Sequence, residues 1–209
     1  MSAAQPASES WPEVRRGDGQ TIEAVIWYCD LRGFTRASDT LPRDTIIALL
    51  NDYFDAMGAI VTDAGGEILK FMGDGMLAIF PVPAGGGAAE TATRAARAAA
   101  SASDAILVLN RIRSAAAEPT VRFGLALHIG EVMFGNIGAS QRLDFTVIGP
   151  AVNHAARLEK LCGPLDRPVI LSAAMARLLP EGEIQLLGRH ELKDIDEAQA
   201  IYGLRTASA

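Results

Sequence analysis

Apolar positions along the chain fall into short continuous runs and into stretches where they recur every three to four residues. Glu23 to Cys29 is a β-branched and aromatic run that reads as a strand. From Ile46 the apolar residues Leu49, Leu50, Tyr53, Phe54, Met57 and Ile60 recur at helical spacing, so a helix with one sheet-facing side is expected. Asp63-Ala64-Gly65-Gly66 stops it, and GEILKFMGDGMLAIF reads as two short strands joined at the turn Gly73-Asp74-Gly75. PAGGG, residues 83–87, is a loop, followed by an Ala-rich helix to about Ala117 with Arg94, Arg97 and Asp104 on its solvated side. VRFGLALHIGEVMFGNIG reads as two strands broken at Gly130, RLDFTVI as another strand, and Ala151 to Leu161 as a helix. Strands near Ile184 to Leu187 and Ala200 to Leu204 close the pattern. The order β-α-β-β-α-β predicts an α+β fold, a ferredoxin-like βαββαβ core with additional C-terminal strands and helices.

Length and composition add bounds to this picture. With 209 residues, 49% of them apolar, the chain suffices for one sizeable core. One domain is expected over residues 21–206, with residues 1–20 as an aperiodic arm or linker remnant and 207–209 as a tail. The net charge of −6 and the lack of a basic stripe give no footprint for nucleic acid or an anionic membrane. No apolar run approaches the roughly 20 residues that cross a bilayer. Cys29 and Cys162 lie far apart without metal-ligand spacing, which suits reduced thiols and a cytoplasmic location.

The candidate chemistry starts from a misplaced charge. In VIWYCDLRGFT an apolar strand ends on Asp30, and the hairpin tip carries Asp74. In a split βαβ sheet the strands bearing them are neighbours, so the two carboxylates converge. Either aspartate alone reads as a turn or cap residue; the pair, flanked by glycines, repels itself at the edge of an apolar sheet and calls for a cation. Oxygen ligands without nearby His or Cys favour Mg²⁺ or Mn²⁺, and two such ions would align an attacking hydroxyl with a leaving phosphate. After Asp30, Gly33 permits an unusual turn, and Phe34-Thr35 opens a short helix whose free N–H groups would face a phosphate. The expected ligand is a metal-loaded triphosphate. In VNHAARLE, Asn153 and Arg157 are four residues apart on one helical face and reach one place together. Read from spacing alone, Asn153 could equally cap the helix and Arg157 pair with Glu159 or Asp144 on the surface.

The segments AVIWYCDLRGFT, GGEILKFMGDGMLAIF, ALHIGEVMFGNIG and RLDFTVIGPAVNHAARLE, in this order and spacing, resemble the catalytic domain of class III nucleotidyl cyclases over roughly residues 22–205. The resemblance implies that Asp30 and Asp74 bind two metal ions, with the main-chain carbonyl of Leu31 as a further ligand. It implies attack of the ribose 3′-oxygen on the α-phosphate, releasing pyrophosphate and closing a cyclic monophosphate. Asn153 would orient the ribose and Arg157 stabilise charge on the α-phosphate. Lys70 and Thr146 would select the base, and Lys193, with Arg142 as the weaker candidate, would contact the terminal phosphates. An ammonium donates to adenine N1, whereas guanine N1 carries a proton, so Lys70 argues for ATP; the Thr146 hydroxyl serves either purine. On an edge strand, Lys70 would otherwise be a guard against sheet pairing.

Two positions depart from the family pattern. Pro150 stands where Asp is common, and Asp194 follows Lys193 where Gly is common, which weakens the local positive potential. The resemblance further implies a head-to-tail homodimer with two composite sites, since this chain holds both half-sets of residues. The resulting expectation is an adenylyl cyclase that makes 3′,5′-cyclic AMP from ATP with Mg²⁺ or Mn²⁺. A guanylyl or dual-specificity cyclase and a nucleotide-binding module without turnover are the alternatives.

Overall fold

A computed structural model describes residues 19–139 and 142–205, with side chains of 136–145 outside the description. The arm expected over 1–20 and the tail over 207–209 fall outside it, apart from Gly19 and Gln20, which belong to the first strand. In chain order the elements are β1 (Gly19–Leu31), α1 (Phe34–Thr40), α2 (Arg43–Asp63), β2 (Glu67–Met72), β3 (Gly75–Pro81) and α3 (Ala88–Ala115). Then come β4 (Phe123–Ala139), β5 (Arg142–Ile148), α4 (Pro150–Glu159), β6 (Val169–Ser172), α5 (Ala173–Ala176), β7 (Ile184–His190) and β8 (Gln199–Leu204).

The strands form one sheet in the order β2-β3-β1-β4-β6-β8-β7, with β5 paired to the far end of β4. The first four of these strands are antiparallel to their neighbours, and β4 and β6 run parallel. This is the expected βαββαβ core, extended at one edge by β6, β8 and β7.

Both faces of the central strands are covered, which explains why they read as unbroken apolar runs rather than as alternation. On one face Val25, Trp27 and Cys29 of β1 pack with Leu49, Tyr53 and Met57 of α2 and with the alanines of α3. On the other, Ala24 and Ile26 pack with Leu77 and Ile79 of β3, Val132 and Phe134 of β4, and Ala151 and Ala155 of α4. The small side chains of α3 bring its backbone close to the sheet; Ala92, Ala95, Ala99 and Ala102 are fully buried. Helix α2 is long and apolar enough to cross a membrane by length and composition. Here its buried face, Leu49, Tyr53, Met57 and Val61, rests on the sheet.

Three features differ from the sequence reading or add to it. The segment around Gly130 is not two strands but one, β4, seventeen residues long and paired to β1 without interruption. Gly130 is needed for packing: a Cβ there would come within 3.0 Å of the Cβ of Ala151, so its absence lets α4 approach the sheet. Strand β6 lacked a sequence signal because VILS is only four residues of continuous apolar pattern. Arg113, near the end of α3, is a buried charge that the sequence pattern did not single out; it pairs with Asp52 of α2 and donates from Nε to the Pro119 carbonyl at 2.6 Å.

The hairpin that carries Asp74 is anchored where α2 hands over to β2. A Cβ on Gly66 would lie 2.8 Å from both Phe80 Cζ and Val61 Cγ1. Gly66→Ala is therefore expected to cost about 1–3 kcal/mol through overpacking against a ring that has nowhere to move. Urea unfolding should show it as a lower midpoint with unchanged slope; a midpoint equal to the parent's would contradict this packing.

Candidate active site

Register places the first two candidate residues together. Cys29 of β1 pairs with Met76 of β3, so Asp30 continues one residue beyond the pairing, beside the turn Gly73-Asp74-Gly75. Gly73 sits at φ 67°, a left-handed value that glycine adopts without strain. Gly75 allows the close approach: a Cβ there would be 3.0 Å from the Cys29 carbonyl oxygen and 3.3 Å from Asp30 Oδ1. Asp30 Oδ1 also accepts from the Leu31 N–H at 3.0 Å, which fixes the carboxylate relative to the strand end.

The electrostatic consequence is strong. Burial, then the charge and hydrogen bond of Asp74, then the charge of Glu159 push the Asp30 carboxyl from an ordinary 3.8 up to about 7. Glu159 is likewise raised, by burial first and further by Asp74, while Arg32 opposes the rise. Tyr28, on the same face of β1, is raised by burial and then by Asp30. Without a cation the pair therefore holds a proton near neutral pH. Two carboxylates held together at the end of a strand are a donor set suited to a hard divalent ion. Among the described residues no group of three or more His, Cys, Asp or Glu side chains is arranged as a ready metal cage. Any ion here would draw its remaining ligands from water and substrate phosphates, as Mg²⁺ commonly does.

The other candidates are distributed around this pair. Phe34 begins α1 behind the cap residue Gly33, whose φ is 74°. The Phe34 side chain packs on the core and Thr35 is exposed, so what α1 presents is backbone N–H. Lys70 is exposed on the edge strand β2, where an irregularity between Ile68 and Lys70 sets it opposite Leu77. Leu77 belongs to the face packed against α4, so Lys70 is presented toward that face. Thr146 of β5 is 5% exposed, and its Oγ1 is buried without a hydrogen-bond partner. A buried hydroxyl left unpaired is costly and marks a place where a polar partner is missing. The side chain of Arg142 lies outside the described residues; Lys193 is exposed in a turn after β7.

Helix α4 carries the last group. Pro150 occupies its first turn, where a missing N–H costs nothing, so this departure from the family pattern leaves the helix start intact. Gly149 is the cap residue, which rules out Asn153 as the helix cap. Arg157 Nη2 donates to Asp194 Oδ2 at 3.3 Å rather than to Glu159; the side chain of the other surface partner, Asp144, lies outside the described residues. Asp194 holds φ 57°, the left-handed conformation that a glycine would adopt freely. Arg157 and Glu159 are two residues apart, about 200° around the helix axis. They flank the buried stripe Ala151, Ala155 and Leu158 from opposite sides. Glu159 thus turns toward its own chain's Asp30, and Arg157 turns away from it.

Sequence reasoning passed over Glu159 and Arg32, which read as solvated charges. It also passed over His128, whose Nδ1 lies 2.9 Å from Ser172 Oγ and whose ring stacks on His154 at 4.3 Å between centroids. Burial, then His154, pushes His128 down to about 3, so this pair is neutral at physiological pH. Cys29 is fully buried and its thiol is pushed up to about 11 by burial, leaving little thiolate for an oxidant to attack.

A family model described as the adenylate and guanylate cyclase catalytic domain matches residues 19–204. An adenylate cyclase of Anabaena cylindrica is 31% identical over 204 residues, which cover 95% of this chain and 40% of that protein. The crystal structure of the adenylyl cyclase CyaB from P. aeruginosa superimposes with a TM-score of 0.81 at 27% identity, over 91% of this chain and 97% of that one. The guanylyl cyclase Cya2 gives a TM-score of 0.77 at 26% identity, over 89% and 93% of the two chains. This chain spans well under two thirds of its longer relatives, 40% of the Anabaena cylindrica protein and 28% of an adenylate cyclase of Rhizobium meliloti.

The raised Asp30 carboxyl sets a pH dependence. Its folded value lies above the ordinary 3.8, so this group's contribution to stability is present in acid and lost as pH rises toward about 7. A divalent ion must displace the retained proton. Mn²⁺ affinity measured by calorimetry should therefore climb by up to tenfold per pH unit below about 7 and flatten above it. The thermal shift given by a fixed Mn²⁺ concentration should be larger at pH 8 than at pH 5.5; equal shifts would argue against a shared proton.

Proposed function

The chain belongs to the adenylate and guanylate cyclase catalytic domain family, and from that premise we propose that it converts ATP to 3′,5′-cyclic AMP and pyrophosphate at sites shared between two copies of itself. The observation that carries the reading is the convergence of Asp30 and Asp74 at the end of the two central strands, where burial and mutual repulsion leave the pair short of positive charge. Mg²⁺ or Mn²⁺, two per site, would be held by these carboxylates and the Leu31 carbonyl. When bound, the ions supply Lewis-acid activation of the 3′-hydroxyl and charge neutralisation on the phosphates.

The chain's own residues do the rest. Backbone N–H groups at Phe34 and Thr35 receive a phosphate oxygen, and Lys193, with Arg142, attracts the terminal phosphates. Asn153 holds the ribose so that its 3′-oxygen stands in line with the α-phosphate, turning the attack into an intramolecular one of fixed geometry. The Arg157 guanidinium donates to the α-phosphate oxygens, whose charge grows in the transition state, and so stabilises that state more than the ground state. Lys70 donates to adenine N1 and Thr146 accepts from the adenine N6 amine. The unpartnered Thr146 hydroxyl supports a missing polar ligand at that position.

A shared site is supported by the direction of α4: Arg157 turns away from the Asp30 of its own chain and pairs with Asp194, which fits an Arg157 that serves the carboxylates of a second copy. In a two-fold arrangement each copy gives its carboxylates to one site and Lys70, Thr146, Asn153 and Arg157 to the other. Two buried free thiols fit a reducing, cytoplasmic setting for such a dimer.

The direct test is purified protein with Mn²⁺ and either ATP or GTP, scored for cyclic product. Cyclic AMP should dominate; cyclic GMP in excess would overturn the assignment of Lys70 and favour the guanylyl reading that the likeness to Cya2 keeps in view. No product with either nucleotide would favour a binding module. Arg157→Ala should lower kcat by about 10²-fold or more. Mixing Asp74→Ala chains with Arg157→Ala chains should restore one intact site per heterodimer, whereas no rescue would argue for sites complete within one chain.

Arg157 must leave Asp194 to reach a phosphate. The pair is partly exposed, with side chains 31% and 64% accessible, so breaking it should cost no more than about 1 kcal/mol. Asp194→Asn, which keeps tolerance of the left-handed backbone, is expected to raise kcat/KM by up to about fivefold, most clearly at low salt. A fall approaching that of Arg157→Ala would instead make Asp194 a required support.

A further inference from the structure

Glu159 is buried where a carboxylate has no stability reason to be. It is the last residue of α4, where the helix dipole opposes negative charge, and it is half-buried beside other acids. Arg32 and the exposed Lys160 are the nearby cations, but Arg32 Nη2 is engaged with the Arg167 carbonyl and its Nε is buried without a partner. Room for the carboxylate is made by Gly124 of β4. A Cβ at Gly124 would overlap Glu159 Oε1, lie 3.3 Å from Glu159 Cδ, and approach Cys162 Cβ to 3.0 Å. Gly124 is the residue directly paired with Asp30 in the β1–β4 ladder. Directly opposed residues share a face, with Cβ positions about 5 Å apart. The Glu159 carboxylate therefore occupies the side-chain position of Gly124, next to Asp30 on the face that the Asp74 turn closes.

We infer that Glu159, seated in the slot left by Gly124, is a positioning residue for the divalent-cation site formed by Asp30 and Asp74. This rests on the reading of those two aspartates as metal-binding. The role assigned to Glu159 is that of a support and not of a third ligand, in keeping with the lack, among the described residues, of three such side chains arranged to hold an ion together. It acts in two ways. Its charge adds to the negative potential at the pair, and from behind it presses the Asp30 carboxylate outward, toward the Asp74 turn and the incoming ion. Gly124 and Glu159 act together: the missing Cβ of the first leaves the space that the carboxylate of the second fills.

The test is Mn²⁺ binding to the whole chain without nucleotide, followed by electron paramagnetic resonance at pH 7.5. The isosteric Glu159→Gln should weaken Mn²⁺ about tenfold, the scale of removing one unit charge within several ångströms of a partly buried ion. Its metal-free Tm should be unchanged or higher, which a merely structural contact would not give. Gly124→Ala should weaken Mn²⁺ similarly by expelling the carboxylate. Gly124→Ala combined with Glu159→Ala should bind Mn²⁺ no worse than Glu159→Ala alone, and with a higher Tm than Gly124→Ala alone. Glu159→Gln binding Mn²⁺ within twofold of the parent, fully additive losses in the double variant, or no saturable Mn²⁺ binding by the parent would each overturn the inference. Failure of the cyclase reading would show separately, as absence of cyclic product from a parent that binds Mn²⁺ normally.

Discussion

The antiparallel pairing of β1 with β3 forces together two carboxylates that water would keep apart. Both strands are buried on both faces, so their register is set by the core, and Ile26 opposite Ile79 and Trp27 opposite Ala78 leave no room for slippage. A one-residue slip would turn Trp27 out of the helix-facing core and Asp30 into it. Two strands buried along most of their paired length thus hold an unfavourable contact that positive charge relieves. Strain of this kind, kept by a surrounding structure that over-determines it, marks a functional site.

Glycine is the material from which the site is cut. Gly75 admits the turn to Asp30, Gly124 admits Glu159, and Gly130 admits α4, each by the absence of a Cβ that would meet an atom at 3.3 Å or closer. None of the three has a positive φ. Their role is close approach rather than backbone freedom, and this is why the sequence misleads at these positions. A glycine inside an apolar run reads as a break or a bulge, as at Gly130, because a sequence shows what the residue does to its own strand and hides what packs over it.

The same distinction separates what was legible from what was not. The βαββαβ core and the placement of Asp30 at a strand end and Asp74 at a hairpin tip followed from local pattern, since continuous apolar runs punctuated by Gly-Asp-Gly are local facts. The match of residues 19–204 to the cyclase family agrees with the resemblance carried by the motifs around those residues. Glu159 and Arg113 could not be read this way. Each is a charge on an ordinary helical spacing, and each is buried by elements distant in sequence: Glu159 by β4, Arg113 by Asp52 and the carbonyl of Pro119. The partner of Arg157 was equally hidden, because Asp194 is 37 residues away and reaches it only through a turn in left-handed conformation.

Helix α4 then links the local site to assembly. Its buried stripe of Ala151, Ala155 and Leu158 fixes the helix against the sheet, and that leaves the rotation of Arg157 and Glu159 without freedom. A helix that commits one carboxylate inward cannot also bring a guanidinium two residues earlier to the same point. The geometry of a single turn of helix therefore sends Arg157 and Glu159 to opposite sides of the buried stripe. Under the proposed two-copy arrangement, turnover would depend on the relative placement of two chains, and a small rotation between copies would alter the rate without altering any bond within either.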